Sequence, residues 1–342
     1  MTLKSLTYNI YYILLLLIIS TCGLSSCIET DDFDNSRKGN LEALWTILDE
    51  HYCFFKQKNI DWNKVKATYF KQVDEGMTDS QLFEIMSNML SELKDGHVNL
   101  YTSFNLSRYW AWHENYPKNF SEELERKYLK TNYLIASGMD YCILDDNIGY
   151  IRYKSFLNNV GTGNLDEILF YLQPCKGIII DIRNNGGGDL TNAEKFAARF
   201  INSETHVGYI QHKIGKGHNE FSKMKAQILK PAKGVRWQKT VIVLTNRSVY
   251  SAANEFVKYM KCCPNAKIVG DKTGGGAGMP FSSELPNGWS IRFSACPIYD
   301  KNKHLTEFGI EPDYKVNLLK SDYNKNKDTI IEFARKLISQ EK

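Results

Sequence analysis

Two hydrophobic rhythms divide the chain. From Leu41 to Leu93 apolar side chains recur at three- and four-residue spacing. Leu41, Leu44, Trp45, Leu48 and Tyr52 make one stripe, Trp62, Val65, Tyr69 and Val73 a second, and Leu82, Ile85, Met86, Met89, Leu90 and Leu93 a third. That is the period of amphipathic helices, and Thr78-Asp-Ser-Gln81 gives the third a capping box. Gly96 then stands where a left-handed, helix-ending residue belongs. From Ile148 onward the rhythm alternates. Short β-branched runs at 148–153, 177–182, 241–244 and 267–269 are separated by helical patterns at 165–172, 190–200 and 251–260. Such alternation predicts an α/β core with parallel strands and helical crossovers. Leu285-Pro-Asn-Gly-Trp289 reads as a hairpin turn, and a helix from Thr329 to Leu337 closes the chain. The expected organisation is a helical domain at 40–100, an aromatic-rich connector at 101–146 and an α/β core at 147–342. The connector carries Tyr101, Phe104, Tyr109, Trp110, Trp112, Tyr116 and Phe120, and one short helix from Glu122 to Lys130.

The N-terminus changes the picture of where the protein works. Lys4 precedes the apolar run Ile13–Ile19, which is too short to span a bilayer and suits a signal peptide over residues 1–26. It ends in Leu24-Ser-Ser-Cys27, which resembles a bacterial lipobox with Cys27 as the lipidated first residue; the plainer alternative is an ordinary cleavage site. Residues 27–39 then form an acidic tether. The expectation is a protein anchored by lipid in the bacterial cell envelope, facing periplasm or cell surface, with no other membrane contact.

Composition mainly excludes. The 342 residues are 43% hydrophobic, enough for a large core. The net charge of +4 is dispersed, with no basic block interleaved with aromatics, so no nucleic-acid partner is expected. Cys53, Cys142, Cys175, Cys262, Cys263 and Cys296 have no metal-ligand spacing, and buried free thiols are expected. Neither a GxxxxGK[ST] lysine nor a spaced GxGxxG is present, so neither cofactor nor metal is expected.

Four places carry candidate chemistry, and each has a plainer use. Ser251 follows the Val241–Leu244 strand and starts a helix; it is either an N-cap or a nucleophile exposed on a strand-to-helix turn. Asp181-Ile-Arg-Asn-Asn-Gly-Gly-Gly-Asp189 ends another buried strand, as a tight turn capped by Asp189 or as a backbone oxyanion donor. Lys94-Asp-Gly-His97 sets an imidazole past a helix end, where the dipole favours its charged form or catalysis uses it. Glu307, in Glu-Phe-Gly-Ile-Glu-Pro-Asp313, is a solvated loop charge or a site carboxylate.

Taken in order, DGHV, the strand with DIRNNGGG, TNRSVYSAANEF, VGDKTGGG, LPNGW and EFGIEPD resemble the C-terminal-processing (tail-specific) serine protease family, most closely its tricorn-core branch. The likeness spans about residues 40–316. It implies a crotonase- and ClpP-like α/β core behind a small helical domain. It also implies Ser251 as nucleophile, His97 as general base, Glu307 as the acid orienting it, and backbone donors at Gly187 and Ala252. Gly96 falls where tricorn has a serine, and Gly276 where tail-specific members have their lysine base, so His97 must serve as base. Fewer residues separate His97 from the Ile148 strand than a PDZ module needs. The implied activity is peptide-bond hydrolysis through an acyl-enzyme, rising through about pH 6–7 with the neutral imidazole. The substrate is a peptide or protein. The alternative on the same fold is a catalytically inactive binder of apolar ligands or peptides, its pocket lined by aromatics of the connector.

Overall fold

A computed structural model describes residues 33–340. The stretch expected to be a signal peptide and Cys27 both lie outside the described residues, and among those described no helix is long and apolar enough to cross a membrane. Helix α1 (Arg37–His51) starts where the Ser36 hydroxyl accepts the Gly39 N–H at 2.9 Å, and it buries Leu41, Leu44 and Leu48. Helix α2 (Trp62–Tyr69) is capped by Asp61, and α3 (Asp79–Ser91) by the full Thr78–Gln81 capping box. Trp45 and Trp62 each donate an indole N–H to the other's carbonyl at 3.1 Å, pinning α1 to α2. After α3 the left-handed residue is Lys94 (φ 47°) rather than Gly96.

Strand β1 (Asn99–Tyr101), the single turn α4 (Ala111–Glu114) and α5 (Glu122–Leu129) lead to a hairpin of β2 (Leu134–Ala136) and β3 (Met139–Ile143). The large sheet therefore begins inside the expected connector, before residue 147. Ser137 (φ 51°) and Gly138 (φ 73°) form the two-residue loop with both φ values positive that a tight hairpin requires. The sheet continues through β4 (Gly149–Tyr153), helix α6 (Thr162–Tyr171), β5 (Gly177–Asp181) and helix α7 (Leu190–Ala197). Strands β6 (Thr205–Ile210) and β7 (Lys225–Leu229) follow, then β8 (Thr240–Thr245), helix α8 (Ala252–Met260) and β9 (Ala266–Gly270). The chain finishes with β10 (Gly278–Glu284), β11 (Ser290–Tyr299), β12 (Tyr314–Lys315), the turn α9 (Lys320–Tyr323) and α10 (Thr329–Gln340).

Seven strands order as β12-β9-β8-β5-β4-β3-β2, parallel from β12 to β4 and antiparallel beyond. Both faces are covered, which is why the central strands read as unbroken apolar runs. Ile178, Ile180, Val241 and Val243 face α6, α7 and α8, whereas Ile179, Ile242 and Leu244 face Leu129 of α5 and Ile330, Ile331, Ala334 and Ile338 of α10. A second sheet runs β1-β11-β6-β7, with β10 paired to the other side of β11. The helical module is fastened to this sheet by the Cys53 N–H on Ser294 O (3.1 Å) and the Asn287 N–H on Asn40 Oδ1 (2.9 Å). The β10–β11 turn closes through the Leu285 N–H on Trp289 O, with Gly288 at φ 81°.

Candidate active site

Strand β8 and helix α8 meet at Ser251 in a conformation few residues adopt, φ 57° and ψ −124°. Backbone in this region costs a non-glycine residue about 1–3 kcal/mol and persists only when its surroundings impose it. They do. The Tyr250 N–H bonds Asn185 O (3.1 Å), the Ser251 N–H bonds Gly275 O (2.9 Å), and the Gly274 N–H bonds Val249 O (2.8 Å). The Ser251 side chain makes no capping bond to α8, so the plainer use of this serine is not the one the molecule makes. Its Oγ lies 3.0 Å from His97 Nε2.

His97 is buried, and burial is the chief reason its imidazole is pushed down to about 4, with Arg292 and Lys58 acting the same way and Asp95 opposing. The helix-dipole reading, with its favoured imidazolium, therefore does not apply. The ring is neutral throughout the neutral range and able to accept a proton. Asp95 Oδ1 accepts the His97 backbone N–H at 2.8 Å, and Tyr52 donates to Asp95 Oδ2 at 2.9 Å. Burial alone would raise the Asp95 carboxyl, but Lys58, the nearby His97 and these bonds hold it below the usual range.

Glu307 is also buried, yet it does not bond the imidazole. Its Oε2 accepts the Ala277 N–H at 2.8 Å, and its Oε1 lies 2.9 Å from Lys58 Nζ, which reaches Asp95 Oδ2 at 3.1 Å. His97 Nδ1 has no hydrogen-bond partner among the described residues. The direct Glu307–His97 pairing expected from the sequence is thus replaced by an Asp95–Lys58–Glu307 ion cluster beside the histidine. Burial and the Asp95 charge push the Glu307 carboxyl up to about 7, against the pull of Lys58 and the Ala277 amide. Burial would lower Lys58, but the two carboxylates raise it overall, so it stays protonated and cannot be a base.

The backbone donors divide unequally. Ala252, first in α8, has an N–H without a partner among the described residues. Gly187 packs so tightly under the serine that a Cβ there would meet Ala252 N at 2.8 Å. Its own N–H, however, is taken by Asn185 Oδ1 at 3.0 Å. The next amide, at Gly188, donates to no described residue, and Gly188 lines the cavity beside Ser251 and His97. Of the two glycine amides, that of Gly187 is thus occupied within its own turn and that of Gly188 is the one left unbonded among the described residues.

Tyr250 explains two departures from the motif. At Gly276 (φ 76°) a Cβ would fall 2.4 Å from the Tyr250 ring, so no lysine fits there. At Gly96 a Cβ would lie 2.7 Å from Trp112 Nε1 and 2.9 Å from the Tyr250 hydroxyl, which excludes a serine. Trp112 stacks on Tyr250 with ring centroids 4.1 Å apart, and Tyr250 sits 4.9 Å from the His97 ring. Of the connector's aromatics, Trp112 packs on Tyr250, whereas Tyr101, Phe104, Trp110 and Tyr116 stay exposed. Phe120 lies beneath Arg152 and Arg183. The DIR segment fastens the site from below, because Arg183 is buried between Asp181 and Asp328 and ties the glycine loop to the start of α10. Asp95, Lys58, Tyr250 and Trp112 escape sequence reasoning, since none carries a spacing signal. The six described cysteines are free thiols.

A strained serine at a strand–helix junction, a neutral imidazole at bonding distance and unbonded amides alongside make the kind of constellation that serine peptidases use. Residues 147–316 match Peptidase family S41, and residues 33–91 match the Tricorn protease C1 domain. A solved structure from Parabacteroides merdae ATCC 43184 is 50% identical, covers 89% of this chain and 97% of its own, and superposes with a TM-score of 0.85. The chain belongs to peptidase family S41, the C-terminal-processing serine proteases. A Staphylococcus epidermidis protein named "Probable CtpA-like serine protease" is 31% identical over 174 residues, 50% of this chain and 34% of the relative. The chain thus spans about a third of that curated relative's length. Mature CPAF, at 11% identity and a TM-score of 0.68 over 89% of this chain and 96% of its own, shares the fold.

Proposed function

We propose that this peptidase cleaves peptide bonds through an acyl-enzyme on Ser251, with His97 as general base. The observation that carries the reading is the 3.0 Å approach of a neutral, buried imidazole to a serine hydroxyl held in a strained turn. His97 Nε2 takes the hydroxyl proton as Oγ attacks the carbonyl carbon. Charge gathers on the carbonyl oxygen, where the N–H groups of Ala252 and Gly188 receive it; one such donor is worth about 10²–10³ in turnover. His97 then returns the proton to the leaving amine. Water, deprotonated by the same imidazole, releases the acyl fragment. Asp95 is the carboxylate that stabilises the transient imidazolium and fixes its backbone. Glu307 serves through Lys58 and through Ala277, holding the 276–278 wall of the cavity rather than the ring.

The substrate is an extended peptide or protein segment. We further propose a place in the cell envelope with a lipid on Cys27, supported by the Leu24-Ser-Ser-Cys27 segment. Incubating the protein with a peptide library and reading cut sites by mass spectrometry tests the activity. Cleavage by wild type that disappears in Ser251→Ala supports it, and cleavage that survives the substitution refutes it.

A further inference from the structure

A cavity of about 230 Å³ opens beside Ser251, walled by His97, Gly188, Met279, Pro280 and Arg292. Arg292 stands out among the arginines set into the fold. Arg152 is bonded to Glu125, Arg183 to Asp181 and Asp328, and Arg199 to Asp166. The guanidinium of the half-buried Arg292 has no hydrogen bond or ion pair with any described residue. The carboxylates at the same cavity do not compensate it. Asp189 is occupied with the Thr191 N–H and hydroxyl (both 2.8 Å), and Glu255 is paired with Lys258. After burial, the Arg292 charge is one of those holding His97 below its usual range, so it is felt at the catalytic ring. Its strand is a firm platform: Arg292 pairs with Asn99 of β1 on one side and Ser282 of β10 on the other.

A half-buried guanidinium without a partner is free to take one, and its planar fork suits a carboxylate with two oxygens. We infer that Arg292 is a specificity-determining residue that binds a substrate carboxylate within a residue or two of the scissile bond. The cavity's size sets that limit, since it holds only a side chain or a short terminal fragment. The carboxylate comes either from an aspartate or glutamate side chain or from a free α-carboxylate. In the second case the enzyme trims short fragments from chain ends. The inference rests on the Ser251 peptidase reading.

The test compares kcat/KM of the full chain on matched fluorogenic peptides. One set scans Asp and Glu against Asn and Gln around the cut, and another offers a free C-terminal acid against its amide. Wild type should favour the carboxylate partner by about 10- to 100-fold, the range of a charge-assisted hydrogen bond. Arg292→Gln should collapse that ratio, mainly through KM, and Arg292→Glu should turn the preference toward Lys or Arg at the same position. A side-chain effect identifies an acidic residue as the source, and an acid-over-amide effect identifies the chain end. Wild type that labels with a fluorophosphonate yet treats acid and neutral peptides alike overturns the proposal and leaves the peptidase reading standing, as does a preference that persists in Arg292→Gln. Wild type that neither labels nor cleaves removes both.

Discussion

Lys58→Met is the substitution whose cost the structure states most clearly. The ammonium sits 2.9 Å from Glu307 and 3.1 Å from Asp95, and it also donates to Lys94 O at 3.2 Å. Side-chain exposure is 6% for the lysine, 4% for Glu307 and nil for Asp95, so water cannot replace the lost cation. Methionine keeps the length of the side chain and removes its charge. Breaking a buried pair from one side typically costs about 3–5 kcal/mol, because the remaining ion is left uncompensated. Here two carboxylates remain, and the loss at pH 8 should lie at the upper end of that range. Glu307 already holds its proton up to about 7, and losing Lys58 strengthens that hold. At pH 6 it is therefore neutral, and the cost should be smaller. Asp95 keeps its bonds from Tyr52 and the His97 amide at either pH. Urea denaturation followed by tryptophan fluorescence at pH 8 and pH 6 measures both, and Glu307→Gln in the Lys58→Met background should recover about half of the pH 8 loss. A loss under about 1 kcal/mol, or one equal at the two pH values, would refute the ion-cluster account.

Activity should need neutral His97 and so fall only as pH drops through about 4, lower than the unperturbed imidazole would give; the acid limb of kcat/KM reads this. A limb near 7 that moves in Glu307→Gln would place control at Glu307 instead. Stability follows the same shift. The unfolded imidazole takes a proton below about 6.5 while the buried one does not until about 4, so this contribution is present above 6.5 and lost as pH falls between them. Comparing acid denaturation of wild type with His97→Asn isolates it. Gly276→Ala should cost about 2–4 kcal/mol, from its φ of 76° together with a Cβ 2.4 Å from Tyr250, as a lowered denaturation midpoint would show. Cys27→Ser should abolish incorporation of a clickable palmitate analogue in cells and release the protein from the membrane fraction.

The α/β rhythm was legible because strands buried on both faces need continuous apolar runs, and Ile178–Ile180 and Val241–Leu244 are such runs. Strands β6 and β7 were not. Their residues are half exposed, and Gly208 marks a close approach, where a Cβ would meet Tyr299 O at 2.2 Å. Ser251 and His97 could be nominated from motif order, since a strand–helix serine and a histidine after a helix are local features. The rest of the site depends on tertiary approach. Lys58 lies in an ordinary polar stretch, and only the fold turns it between two carboxylates. Gly96 looked like a helix terminator, but Trp112 and, far away in sequence, Tyr250 are what crowd a side chain there. That the Gly187 amide is occupied and the Gly188 amide is not depends on one bond from the Gly187 N–H to Asn185 Oδ1, which no spacing encodes.

The central claim is that Ser251 is a nucleophile activated by His97. Reacting the protein with a fluorophosphonate at pH 7.5 and mapping the adduct by peptide mass spectrometry addresses it most directly. One adduct per chain on Ser251, formed by wild type and slowed by orders of magnitude in His97→Ala, is the predicted result. No adduct, an adduct on another residue, or labelling of Ser251 at an unchanged rate without His97 would contradict it.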